Sequence, residues 1–100
     1  MTGTLRLPGH IDSNAAPPLA AQILEKSGQP LTLDASGVTF IGALGLQVLI
    51  AAKKQWDADE TAFAVDHLGD EMMDACKALG VTGDAFGASM PTPQFEEQTV

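Results

Sequence analysis

Few side chains in this 100-residue chain could carry chemistry, and their spacing argues against most of it. His10 and His67 are far apart in sequence, so they read as surface or cap histidines, neither a ligand nor a base. Cys76, the one cysteine, can form neither an internal disulfide nor a zinc site. It shares a helical stripe with Met72 and Leu79, which makes it a core thiol. Asp34 ends an apolar strand, at the sheet edge where α/β folds place their sites. A lone aspartate makes no active site, and the alternative role for it is to hydrogen-bond the Ser36-Gly37 turn. Gly42-Ala43-Leu44-Gly45 has the glycines of a phosphate loop, but neither G-x-G-x-x-G nor a lysine–hydroxyl pair. It marks a helix start without a side-chain acceptor, whose free N–H groups and dipole would be met by water or by an anionic group of a partner or of a ligand such as a nucleotide or phosphate. No catalytic residue, metal ligand or cofactor is expected.

These residues must be positioned by elements that the hydrophobic pattern marks out. Residues 4–7 alternate, with Leu5 and Leu7 on one face, and read as an edge strand ending at Pro8-Gly9. Asp12, Ser13 and Asn14 offer caps, and Pro17-Pro18 fit only a first helical turn. Ala16, Leu19, Ala20, Ile23 and Leu24 then give an amphipathic helix stopped by Gly28. Residues 31–35 read as a strand, and 38–41 as its continuation or a buried loop. From Leu44 to Ala52 every position but Gly45 and Gln47 is apolar, which predicts a fully buried helix with Lys53, Lys54 and Gln55 at its end. A polar loop, 57–60, precedes a third strand at 61–65. Leu68, Met72, Ala75, Cys76 and Leu79 mark a third helix, with Gly80 as its C-cap residue. Alternating strands and helices predict an α/β fold with right-handed crossovers. Residues 83–100 read as a weakly ordered tail, with a short strand or helix turn near Phe86 as the alternative.

Composition narrows the function. Hydrophobic residues are 45% of the chain, enough for one core. No apolar run reaches the ~20 residues that cross a bilayer, and the first residues do not read as a signal peptide. The single thiol suits a reducing cytoplasm. The net charge of −8 argues against nucleic acid and anionic membranes as partners. Residues 1–56 carry +1 and residues 57–100 carry −9, with seven acids and no base from Asp57 to Asp74. That run is either a solvated face or a surface that steers a basic partner.

The segment Leu33-Asp34-Ala35-Ser36-Gly37-Val38-Thr39-Phe40-Ile41, followed by Gly42-Ala43-Leu44-Gly45-Leu46 and the apolar helix, resembles the core signature of STAS domains. These are the anti-sigma factor antagonist and sulfate-transporter C-terminal domains. The flanks agree: Leu7-Pro8-Gly9-His10-Ile11-Asp12 is similar to the family's first strand and turn, and Ala75-Cys76-Lys77-Ala78-Leu79-Gly80-Val81 to its last helix. The resemblance implies one STAS-like domain over residues 1–82, with a mixed central sheet of about four strands and helices packed on it. Phosphorylatable members open the central helix with Asp-Ser-Ser-Gly or a close variant. Here Gly42 stands for the aspartate and Ala43 for the acceptor serine, so a phosphorylation switch at that position has no hydroxyl to use.

Small stand-alone STAS proteins of bacterial chemotaxis and two-component systems are the subgroup most similar to this segment. The resemblance therefore implies a cytoplasmic, non-enzymatic adaptor that binds a signalling protein such as a histidine kinase or response regulator. The implied partner surface is Asp34, Ser36, Gly37, Gly42, Ala43, Leu44, Gln47 and Lys54. The alternatives are the STAS subunit of a phospholipid-transport ABC system and an anti-sigma factor antagonist-like regulator. The oligomeric state is left open.

Overall fold

In the computed structural model, which describes residues 3–88, the first strand β1 (Gly3–Arg6) leads through a short strand β2 (His10–Ile11) into helix α1 (Ala16–Leu24). Strand β3 (Leu31–Asp34), a short β4 (Phe40–Ile41) and helix α2 (Ala43–Ala58) follow. Strand β5 (Phe63–Asp66), helix α3 (Asp70–Leu79) and a 3-10 turn (Gly83–Phe86) complete the described chain. β1, β3 and β5 pair in that order as a three-stranded sheet, and β2 pairs with β4 as a separate ribbon. The expected mixed sheet of about four strands is thus corrected: among the described residues five strands lie in two sheets, and their pairs are parallel. Each return connection carries a helix, and such a crossover brings the next strand back in the same direction.

The strand order follows the chain order, so right-handed crossovers place α1 and α2 on one face of the sheet. That face buries Leu31, Leu33, Phe63 and Val65. The opposite face presents Thr4 and Arg6 from β1, Thr32 and Asp34 from β3, and Ala64 and Asp66 from β5, none of them buried. Arg6, Asp34 and Asp66 lie in register at the carboxyl edge. A parallel sheet is normally covered on both sides; among the described residues this second face is largely polar and its side chains are half-buried or exposed.

α2 runs one turn further than the pattern suggests, because residues 53–58 hold neither Gly nor Pro to stop it. Trp56, past the expected end at Gln55, lies within the helix and is buried, its indole N–H donating to the Gln29 carbonyl at 2.7 Å. That bond satisfies the polar end of the largest core side chain. Lys53 is consequently internal to the helix and pairs with Asp57 one turn on. α3 follows the dipole rules, with Asp70 and Glu71 in its first turn, Lys77 in its last and Gly80 closing it in the left-handed conformation.

Residues 83–88, expected to be weakly ordered, are part of the body. Phe86 is fully buried, and Ala88 forms a parallel bridge with Val65 on the free edge of β5. Gly87 makes this approach with a φ of 77°, and a β-carbon there would lie 2.5 Å from the Phe63 carbonyl oxygen. The domain therefore extends past the expected boundary at 82; the rest of the expected tail, 89–100, lies outside the described residues.

Gly45 sits where α2 crosses the β2–β4 ribbon. A β-carbon on it would stand 2.6 Å from Ile11 Cγ2 and 2.8 Å from Ile41 Cγ1. Alanine would gain about 1 kcal/mol of helix propensity, but the clash involves branched, buried side chains and overpacking costs about 1–3 kcal/mol. We expect Gly45→Ala to destabilise the fold by about 1–2 kcal/mol, lowering the thermal midpoint by about 5–10 °C in a circular dichroism melt. An unchanged or higher midpoint would show that the ribbon yields.

Candidate functional site

The start of α2 is held by the ribbon beneath it. Gly9 O accepts hydrogen bonds from Thr39 N at 2.7 Å, Phe40 N at 3.2 Å and the Thr39 hydroxyl at 3.0 Å. Gly42 N donates to Ile11 O at 2.9 Å, and Gly42 O accepts the first helical bond from Leu46 N at 3.1 Å. Gly42 itself is extended and no side chain caps the helix. The first turn is also free of acids, so its N–H groups and positive dipole end face outward uncompensated.

Around this start the exposed side chains are small or apolar. Ala43 and Gln47 are exposed, Leu44 is half exposed, and Phe40 is 44% exposed with its ring stacked on His10 at 4.7 Å between centroids. Four of the sequence-derived residues, Gly42, Ala43, Leu44 and Gln47, are thereby brought into one patch. Lys54 lies on the same side of α2, but about 16 Å further along the helix axis at 1.5 Å per residue.

Asp34, Ser36 and Gly37 form a neighbouring corner at the carboxyl edge of the sheet. Asp34 Oδ1 accepts a hydrogen bond from Ser36 N at 2.9 Å, the turn role given as the alternative for this residue. That bond, with further help from the Ser36 side chain, His67 and Arg6, holds the carboxyl below its usual range. The Arg6 guanidinium lies over Gly37, where a β-carbon would come within 3.2 Å of Nη2. Arg6 and His67 were not singled out for this corner by the sequence, because only the strand register brings them to it. Cys76 is buried, and desolvation pushes its thiol up, away from the reactive thiolate. Among the described residues no three His, Cys, Asp or Glu side chains are grouped closely enough to hold a metal ion.

The feature that sequence reasoning missed is a groove of about 480 Å³ between α1 and α2. Ala16, Pro17, Ala20, Ile23 and Leu24 line it from α1. Leu44, Gln47, Val48, Ala51, Ala52 and Gln55 line it from α2. The helix predicted to be buried all round is not: Gly45, Leu46, Leu49, Ala52 and Trp56 form its buried stripe, while Leu44 and Ala51 are exposed. Leu44, Val48 and Ala51 recur at i, i+4 and i+7, so a short second apolar stripe is present in the pattern, with the polar Gln55 continuing it at i+11. One helix cannot turn two stripes to the same core.

These observations define a small parallel α/β domain that presents an uncapped helix start and an adjoining apolar groove. The chain belongs to the STAS-domain family: the family model described as "Mlab, STAS domain" matches residues 1–90. No curated protein matches the chain. STAS domains are regulatory domains, generally without catalysis of their own. Among the described residues, no helix is long and apolar enough to cross a membrane.

The Asp34 corner has a measurable signature. Its folded-state carboxyl titrates below the unfolded value, so its ionised form stabilises the fold above about pH 4 and that contribution is lost as pH falls through the lower folded midpoint. In a carboxyl-carbon NMR titration Asp34 should have a midpoint below that of an unstructured aspartate. Asp34→Ala should flatten the acid limb of the stability profile; an ordinary midpoint would mean the Ser36 bond is not kept in solution.

Proposed function

We propose that the chain is a non-enzymatic STAS adaptor that regulates a bacterial signalling system by docking a protein partner on the α2 start. The observation that carries this reading is the exposure of Leu44 and Phe40 beside Ala43, an apolar patch on a helix end with no side chain to cap it. Small residues there permit close approach of a partner backbone, and large exposed apolar side chains grouped together mark interaction sites. Position 43 carries a methyl group where the family's phosphorylatable members carry a hydroxyl. The partner surface is accordingly constant and not switched at this position. A histidine kinase or response regulator is the partner class this reading names.

A second reading keeps the face and changes the partner to the ATPase subunit of a phospholipid-transport ABC system. It is favoured by the family description, which carries the name Mlab and no signalling term.

Ala43→Glu tests both. Residue 43 is exposed and opens the helix, where an acidic side chain suits the dipole, so the fold should persist. Affinity capture from the native cytoplasm with both forms should recover a kinase or response regulator with wild type only. Loss of a transport ATPase instead would select the second reading. A specific partner recovered equally by both forms would move the docking face away from α2.

A further inference from the structure

We propose that the groove between α1 and α2 receives an amphipathic helix of a partner protein, with basic residues at the end that lies over Glu25, Asp59 and Glu60. The proposal rests on the adaptor reading above and deepens it by giving the chemistry of the docked segment.

Three features define the occupant. The first is shape. α1 and α2 both return the chain to a parallel strand, so they run side by side in the same direction, and the trough between them is open along its length. Its α2 wall, from Leu44 to Gln55, is about 16 Å long, the length of three helical turns. The second is polarity. The walls are alkyl groups, and the only polar side chains in them are Gln47 and Gln55. Nothing in the walls is placed to hold a charged headgroup, whereas an apolar stripe at i, i+3, i+4 and i+7 of a third helix needs nothing more.

The third feature is charge. α1 and α2 lack a basic side chain in the last turn, unlike α3 with its Lys77. Acids close both: Glu25 is the C-cap of α1 and Asp59 that of α2, with Glu60 next to it. All three are exposed. They add to the negative ends of two parallel helix dipoles, against the usual preference. Among the cations of these two helix ends, Lys54 is exposed on α2, one residue before Gln55. The Lys26 chain lies over Gly3, and Lys53 is paired with Asp57. Asp59 touches the groove wall through Gln55, whose side-chain amide nitrogen lies 3.3 Å from both carboxylate oxygens. With Glu25, Asp59, Glu60 and two negative dipole ends set against Lys26 and Lys54, this end keeps a net negative potential that a basic segment would meet.

The test uses two synthetic helical peptides of about four turns with one leucine stripe. One carries lysines at one terminus, the other glutamates in the same places. Each is titrated into the isotope-labelled protein and followed by amide NMR. The lysine peptide should saturate with shifts centred on Leu24, Val48 and Ala51, and bind at least about 10-fold tighter than the glutamate peptide at low salt. The difference should shrink as added salt shortens the screening length to about 3 Å near 1 M. Ala51→Arg, at an exposed position, should abolish these shifts while the circular dichroism spectrum is kept. Asp59→Lys should move the preference toward the glutamate peptide. The proposal is overturned by failure of both peptides to saturate, or by equal affinity for the two. It is likewise overturned by dodecanoate taking the groove in preference to either peptide, or by self-association that Ala51→Arg removes. If the peptides fail while Ala43→Glu still abolishes partner capture, only the helical occupant falls. If partner capture is also insensitive to Ala43→Glu, the adaptor face falls with it.

Discussion

Everything presented at the surface depends on how closely α2 lies on the β2–β4 ribbon. Gly45 brings the helix backbone to where a single methyl group would meet Ile11 and Ile41, and the ribbon in turn holds Gly42 through Ile11 O. The helix start is thus positioned from below by packing and main-chain bonds, which leaves its outward face free of structural duties. A start held by a side-chain cap would need a Ser, Thr or Asp at residue 42, and that group would occupy the N–H groups a partner can use. The glycines of Gly42-Ala43-Leu44-Gly45 therefore serve a packed helix end that remains accessible, not a phosphate loop.

The same helix shows how a sheet with three parallel strands distributes apolar surface. All crossovers lie on one face, so α1 and α2 form a single layer above β1, β3 and β5. A two-helix layer has a core side, a seam and an outer side. α2 spends Leu46, Leu49 and Trp56 on the core and turns Leu44 and Ala51 to the seam. The seam is wider than the short side chains of Ala16, Ala20 and Ala51 can fill. A groove follows from residue size and topology together. Larger residues at those positions would close it and remove this apolar surface.

Much of this was legible beforehand. The three helices, the three main strands, the Gly80 cap and the buried Cys76 follow from periodicity and turn residues, and the resemblance carried by residues 33–46 led to the family. The extension of α2 through Trp56 was not legible, because Lys53, Lys54 and Asp57 look like a helix end unless the i, i+4 pairing of Lys53 with Asp57 is weighed. Phe86 reads as a tail residue or a short turn because glycines flank it, and only the free edge of β5 gives it a place. The patch at residues 42–47 was legible, since it is contiguous on one helix turn. Arg6 and His67 beside Asp34 were not, since strand register alone brings them together. The groove is hidden by the nearly unbroken apolar run from Leu44 to Ala52: apolarity does not distinguish a face buried in the core from one left for a partner.

The contrast between α3 and the other two helices bears on that distinction. α3 has acids at its N-terminal turn and a lysine at its C-terminal turn, the arrangement that stabilises a helix by itself. α1 and α2 have no acid in the first turn and no base in the last turn, and each ends on an acidic C-cap, although Asp12 Oδ1 accepts from Ala15 N just before α1. Each such mismatch costs only tenths of a kcal/mol at an exposed site, so packing on the sheet readily tolerates them. Their coincidence matters more than their size. Both helices that border the groove are unbalanced in the same sense at the same end, and the helix that does not border it is balanced. Local stability explains α3 and leaves α1 and α2 unexplained. A charged partner segment lying along the seam would complete both dipoles at once, which ties the electrostatics of the helix ends to the apolar face between them.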